Sequence, residues 1–424
     1  MIAILLGALI TAPALAAQTG PAAADGTTPL HWAAYREDGD AAERLIRAGA
    51  DIDAANDLGA TPLWIASQNG SLAMVQRLLQ AGANPNLALL SGETPVMVAA
   101  RSGAAEVVQA LVAKGANVNA RGARGQTALM WAVAQRHPAV VKVLLAAGAD
   151  VHAKSDVRGQ VMAVPPHGHL DYNRWIPYGG ETALMFAARA GDLESAELLL
   201  SAGANVDAAD AWGISAMVLA AHAGHRALVE FLLEQGADPN SSAAGFAALH
   251  IAIMRRNERM AAALLARGAD PNAPLRVWTP TRRASADYHF PPALVGATPF
   301  WLAARVIHPG IMRLLVKHGA HPSIVHRSEY YLNDLYDRRT EATTALMAAT
   351  GMGVGGTAWV PPPREAREAL TLEAARLAVE LGVDVNAANA DGRTALDAAQ
   401  ALKYESVVRY LVDKGARPGK TAKP

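Results

Sequence analysis

Apolar and polar positions recur along this chain in a fixed beat. A seven-residue string, T-x-L-x-x-A-A or a near variant, appears as TPLHWAA from Thr28, TPLWIAS from Thr61, TPVMVAA from Thr94 and TALMWAV from Thr127. It returns as TALMFAA from Thr182, SAMVLAA from Ser215, AALHIAI from Ala247, TPFWLAA from Thr298, TALMAAT from Thr344 and TALDAAQ from Thr394. Between successive copies lies a second pattern, an apolar pair followed by Gly-Ala or a close variant. Its glycines are Gly49, Gly82, Gly115, Gly148, Gly203, Gly236, Gly268, Gly319, Gly382 and Gly415. Each pattern predicts one helix. A leading Thr caps free backbone N–H groups, and Pro29, Pro62, Pro95 and Pro299 suit a first turn, where no N–H is needed. Gly39, Gly70, Gly103, Gly191 and Gly224 are expected to end the first helix in a left-handed conformation. The fold class is therefore all-α, with helix pairs that bury their apolar faces only against their neighbours.

Together the two patterns resemble the ankyrin repeat, over roughly residues 25–419 in about ten units. The resemblance implies a solenoid of stacked helix pairs with hairpin-like fingers, and it is nearly silent about function. It also implies structural roles for His31 and His250, which bridge loop backbone at the family's own His position, and for His225. Asp51, Asp150, Asp238, Asp270 and Asp384, which follow the second pattern, become turn residues. The charged first unit and the partly polar last unit have the outer faces that terminal repeats need.

The beat breaks in four places. Successive motif starts are 33, 33, 33, 55, 33, 32, 51, 46 and 50 residues apart. Three insertions follow a second helix, near 157–180, 276–295 and 326–342. The fourth, near 351–362, falls between the helices of one unit, with a lengthened helix expected from about Pro363. These insertions hold ten of the 22 aromatic residues: Tyr172, Trp175, Tyr178, Trp278, Tyr288, Phe290, Tyr330, Tyr331, Tyr336 and Trp359. Aromatic residues with Arg are enriched at binding hot spots, and proline lowers the entropy cost of ordering a loop. These ten are the candidate partner-binding residues. The competing reading is that the rings pack back on the repeats and hold each insertion in place. With helix layers about 8–10 Å apart, insertions two and three should be neighbours, and insertion one roughly 30 Å away across a gap.

Composition narrows the function. With 38 basic and 38 acidic side chains the chain lacks the basic excess of a nucleic-acid binder. Cysteine is absent, so there is no disulfide, thiolate metal site or cysteine nucleophile. The apolar run from Ile2 to Ile10 is too short to span a bilayer and is followed by Ala14-Leu15-Ala16, an A-x-A cleavage pattern. Residues 1–16 read as a signal peptide and 17–24 as a linker, which predicts a periplasmic or secreted protein. Residues 420–424 form a short tail.

Candidate chemistry is sparse. His167 and His169 stand in H-x-H without a convincing third ligand, so no metal is expected. GMGVGG, residues 351–356, matches G-x-G-x-x-G but follows an expected helix where a dinucleotide site needs a strand. No Ser-His-Asp set or paired carboxylates suggest catalysis, and no cofactor is expected. The leading expectation is a monomeric, non-enzymatic scaffold that binds another protein through its insertions. The alternative is a receptor for a small molecule or glycan, or an accessory enzyme, with a pocket between the insertions at 276–295 and 326–342.

Overall fold

The structure is a computed structural model that describes residues 23–162, 174–279, 290–331, 338–353 and 361–419. The expected leader at 1–16, the tail at 420–424, His167 and His169 lie outside these residues, as do Tyr172, Tyr288, Tyr336 and Trp359.

The chain divides into two compact units. The first comprises residues 1–156 and 182–204. It holds ten helices: α1 (Pro29–Tyr35), α2 (Gly39–Arg47), α3 (Pro62–Asn69), α4 (Leu72–Gln80), α5 (Pro95–Ser102), α6 (Ala105–Ala113), α7 (Ala128–Ala134), α8 (Pro138–Ala146), α9 (Ala183–Ala190) and α10 (Leu193–Ser201). Odd helices stack on odd, even on even, and each odd helix packs on the even helix that follows it. The core is made of small and medium side chains, such as Leu63, Val98, Ala99, Leu111, Ala132 and Leu144. Small side chains let the helices approach closely, and dense packing supplies the contact energy.

The second unit comprises residues 157–181 and 205–424. Its described helices are α11 (Ala216–Ala223), α12 (Arg226–Glu234), α13 (Ala248–Met254), α14 (Glu258–Ala266), α15 (Pro299–Arg305), α16 (Pro309–Lys317), α17 (Ala345–Ala349), α18 (Arg367–Glu380), α19 (Ala395–Ala401) and α20 (Glu405–Asp413). They stack by the same rule. Two antiparallel hairpins are added to this all-α frame: β1 (Arg158–Met162) with β2 (Arg174–Tyr178), and β3 (His326–Tyr331) with β4 (Arg338–Thr343). The expected lengthened helix is α18, of 14 residues where the other even helices have nine.

The sequence signals act as expected at several helix ends, but Thr94 and Thr182 lead α5 and α9 without their hydroxyls capping a backbone N–H. Thr61, Thr127, Thr298 and Thr344 accept hydrogen bonds from backbone N–H groups three residues on. Gly70, Gly103, Gly191 and Gly224 cap their helices with φ between 70 and 85°. Gly39 is a correction: it is the first residue of α2, and the left-handed position after α1 is taken by Glu37 at φ 57°. Arg136, Arg256, Ile307 and Lys403 also take positive φ after odd helices.

A hydrogen-bonded ladder ties the loops between pairs, using Asn or Asp four residues after the Gly-Ala glycine. In the first unit Asn86 donates to the Gly115 carbonyl at 3.0 Å and accepts from the Asn117 N–H at 2.7 Å. Asn119 repeats the pattern with Gly148 and Asp150. In the second unit Asn240 and Asn272 do the same. The Asn272 rungs reach Gly319 and His321 across the whole second insertion.

Candidate functional site

Insertion one is a ribbon whose strands pair Arg158 with Tyr178, Gly159 with Pro177 and Val161 with Trp175. Ile176 faces inward and is buried, so the alternation of a strand sends Trp175 outward. Trp175 is 67% exposed, beside Val157 at 59%. Its indole lies over Gly159, where an added Cβ would fall 1.6 Å from the ring. The glycine is thus the seat of the exposed ring. Gly179 accepts a hydrogen bond from the Ala211 N–H at 2.9 Å, which fixes the base of the ribbon.

Tyr178 starts a row of rings. It meets Trp212 edge-on at 6.5 Å, Trp212 meets Phe246 at 6.4 Å, and Phe246 meets Phe290 of insertion two at 5.1 Å. The interval expected to be a gap between insertions one and two is crossed by aromatic packing. Asp210 sits at the foot of this row and accepts from the Trp212 and Ile214 N–H groups at 2.9 and 2.8 Å. Burial, with Glu181 adding a like charge, pushes its carboxyl up to about 6.

Insertion two closes on itself at the neck. Leu275 N–H donates to Ala297, Gly296 N–H to Leu275 and Thr279 N–H to Phe290, at 2.9, 2.7 and 2.9 Å. Phe290 is fully buried, and Trp278 is buried against Val295 and Tyr331. Insertions two and three are in contact through that Trp278–Tyr331 packing. In insertion three His326, Ser328 and Tyr330 alternate inward. His326 lies on Trp301 at 4.3 Å and hydrogen-bonds the Ala293 carbonyl at 2.9 Å.

The six candidate rings among the described residues therefore do not share one exposed surface. Trp278, Phe290 and Tyr330 are core residues, because each insertion must bury apolar area to hold its own shape. Tyr178 and Tyr331 are half-buried, and Trp175 stands out in solvent. Phe290 and Tyr330, expected to line a pocket between insertions two and three, are both buried, and Tyr288 lies outside the described residues. A cavity of about 440 Å³ lies instead on another side of insertion three. Its walls are β4, with Arg339 and Glu341, and the turn before α19, with Asn389, Asp391 and Arg393. Tyr330 and Thr350 line it more deeply, and Met352, Ala398 and Leu402 add apolar surface. Burial, then the Glu341 carboxylate that accepts from its hydroxyl, raises the Tyr330 phenol well above its usual range.

The histidines behave as loop ties. His31 Nδ1 accepts from Thr28 N–H and Nε2 contacts the Ala60 carbonyl, at 3.0 and 2.9 Å. His250 makes the matching pair with Ala247 and Ala273. Burial holds both rings below the usual histidine range, His250 down to about 4. Asp51, Asp150, Asp238, Asp270 and Asp384 each accept from a backbone N–H two residues on. They are turn formers, in the manner of Asx turns. No cluster of three or more metal-ligating side chains occurs among the described residues. Gly351 and Gly353 of the glycine-rich motif follow helix α17, so no strand leads into it.

Sequence reasoning missed the charged cavity, whose residues come from two segments about 50 positions apart. The Gly159 seat was also missed, although Gly in a strand marks close approach. A family model described as ankyrin repeats (3 copies) matches residues 1–89, 82–155 and 184–274. No curated protein matches the chain. Among the described residues no helix is long and apolar enough to cross a membrane.

Proposed function

Because the chain belongs to the ankyrin-repeat family, whose repeats generally mediate protein–protein interaction, we propose that it is a binding scaffold whose second unit carries the recognition surface. About ten units, from residue 25 to 419, form a solenoid with fingers, and the insertions extend the finger edge. The observation that carries the reading is Trp175, a large ring held in solvent on a braced hairpin. Aromatic anchors of this kind contribute much of the energy at interfaces. Trp278, Phe290 and Tyr330 act indirectly, by keeping the insertions in shape before the partner arrives, which lowers the ordering cost of association. The partner is another protein and the mechanism is steric and hydrophobic complementarity without chemistry. The apolar run and A-x-A pattern support a signal peptide, and hence action in the periplasm or outside the cell.

The test is a pull-down from the exported fraction with the intact protein and with residues 157–180 shortened to an ordinary turn. Loss of one specific partner from the shortened form, with helix content unchanged by circular dichroism, supports the reading. Equal capture by both forms sinks it. The receptor alternative draws on the charged cavity beside insertion three.

A further inference from the structure

We propose that the cavity between β4 and the turn before α19 is a second binding site, and that it takes an aliphatic α-amino carboxylate. The ligand could be a free amino acid or the C-terminal residue of a peptide. The two walls carry the same pair of groups. Arg339 and Glu341 stand two apart on β4, so they share a face of that strand. Asp391 and Arg393 stand two apart on the opposing turn. That turn is held rigid, because Asn389 is buried and its side chain accepts from the backbone N–H of both Asp391 and Arg393, at 3.1 and 2.9 Å. The charged side chains are therefore presented on fixed backbone, one wall a hairpin and the other a closed turn.

Charge decides the ligand class. Neither Arg339 nor Arg393 has a carboxylate within 4.0 Å among the described residues, so both guanidinium groups face the cavity without an ion-pair partner. Glu341 is different. It accepts from the Tyr330 hydroxyl and feels the buried Arg305 guanidinium behind it. With Glu341 so engaged, the open groups are two cations and one anion, Asp391. A carboxylate between Arg339 and Arg393 satisfies the cations, in the geometry guanidinium groups favour. An ammonium or amide N–H next to that carboxylate suits Asp391. A nucleotide or other polyanion would bring charge of its own sign against Asp391 and Glu341. Met352, Ala398 and Leu402 offer an apolar surface for one aliphatic side chain. The volume of about 440 Å³ falls in the range of small-molecule sites.

The site shares no residue with insertion one, so its failure and that of the protein-binding reading are separable. The experiment is isothermal titration of the full chain with leucine, N-acetyl-leucine, the peptide Ala-Ala-Leu and leucinamide. Saturable binding of leucine or Ala-Ala-Leu, with leucinamide about tenfold weaker or more, is the expected result. Arg393→Gln and Arg339→Gln should each weaken the carboxylate ligands about tenfold, with unchanged circular dichroism. Both arginines are exposed, so neither change disturbs the core. Asp391→Asn should weaken leucine more than N-acetyl-leucine if the natural ligand is a free amino acid. Preference for N-acetyl-leucine and Ala-Ala-Leu over leucine assigns the site to a chain terminus. Leucinamide binding as well as leucine, or no saturation by any of the four up to millimolar concentration, overturns the proposal. So does unchanged binding in both arginine variants.

Discussion

The two units are built on one frame and decorated differently. Each has five helix pairs among the described residues, stacked odd on odd and even on even. In the first unit the loops joining the pairs from α1 to α8 are short turns, tied by Asn86 and Asn119, while the chain between α8 and α9 runs through insertion one, which belongs to the second unit. In the second, a closed neck separates α14 from α15 and the β3–β4 hairpin separates α16 from α17, yet Asn272 still makes its two rungs across the insertion. Loop length costs free energy only logarithmically, so an insertion whose ends stay together barely taxes the frame. The insertion must then find its own apolar contacts. It does so with rings, which explains why the aromatic residues concentrate in the second unit's loops. The comparison also separates two roles that composition merges: rings that brace, such as Phe290, and a ring that is presented, Trp175.

The largest expected effect breaks the brace. Phe290→Ala should cost about 3–5 kcal/mol of stability in the second unit, because a fully buried ring in contact with Phe246 is lost. Urea unfolding should show the second unit melting earlier while the first is unchanged. A loss below about 1 kcal/mol would show that the ring row carries little.

Two buried groups of the second unit give opposite pH dependences. His250, pushed down to about 4, is held neutral, so its contribution is present above the unfolded value of 6.5. That contribution is lost as pH falls from about 6.5 towards 4. Asp210, pushed up to about 6, favours the protonated fold, so its contribution is present below 3.8 and is lost as pH rises through 6. The two partly cancel between pH 4 and 6.5. Asp210→Asn keeps the acceptor for Trp212 and Ile214 without the charge. It should raise stability at pH 7.5 by about 1–2 kcal/mol, allowing for solvent screening, and the gain should vanish near pH 4. A pH-independent gain would place its cause elsewhere.

Ile307 is β-branched and held at φ 54°. Ile307→Gly should stabilise the second unit by about 1 kcal/mol, measured as a rise in the urea midpoint. Gly70→Ala in the first unit, at φ 73°, should do the reverse by a similar amount. The smallest effect on stability belongs to Trp175→Ser, within about 0.5 kcal/mol, because the ring is exposed. Its consequence should be confined to partner capture.

Most of the frame was legible in the sequence. Thr caps, Pro at first turns and Gly after helices are local signals, and their repetition removes the ambiguity of any single one. Gly39 misled because Glu37, two residues earlier, takes the left-handed position that glycine usually fills. The placement of the insertions was legible from spacing, and their necks were not. Whether Trp278, Phe290 or Trp175 faces core or solvent depends on partners far along the chain, Val295, Tyr331, Phe246 and Gly159 among them. Composition marks a ring as valuable without saying which side it faces. The ladder offers a subtler signal: His152 and Ser323 stand where repeats elsewhere have Asn or Asp, shortly before insertions one and three.

The central claim is that the second unit presents the recognition surface and the first does not. Both units expose large apolar side chains: Trp175 at 67% in the second, Leu90 at 82% in the first. Placing a photo-crosslinking amino acid at position 175 or at position 90, in otherwise intact protein in its native cells, compares them directly. The account predicts one dominant crosslinked protein from position 175 and none above background from position 90. The same product from both positions, or a product from position 90 alone, would contradict it.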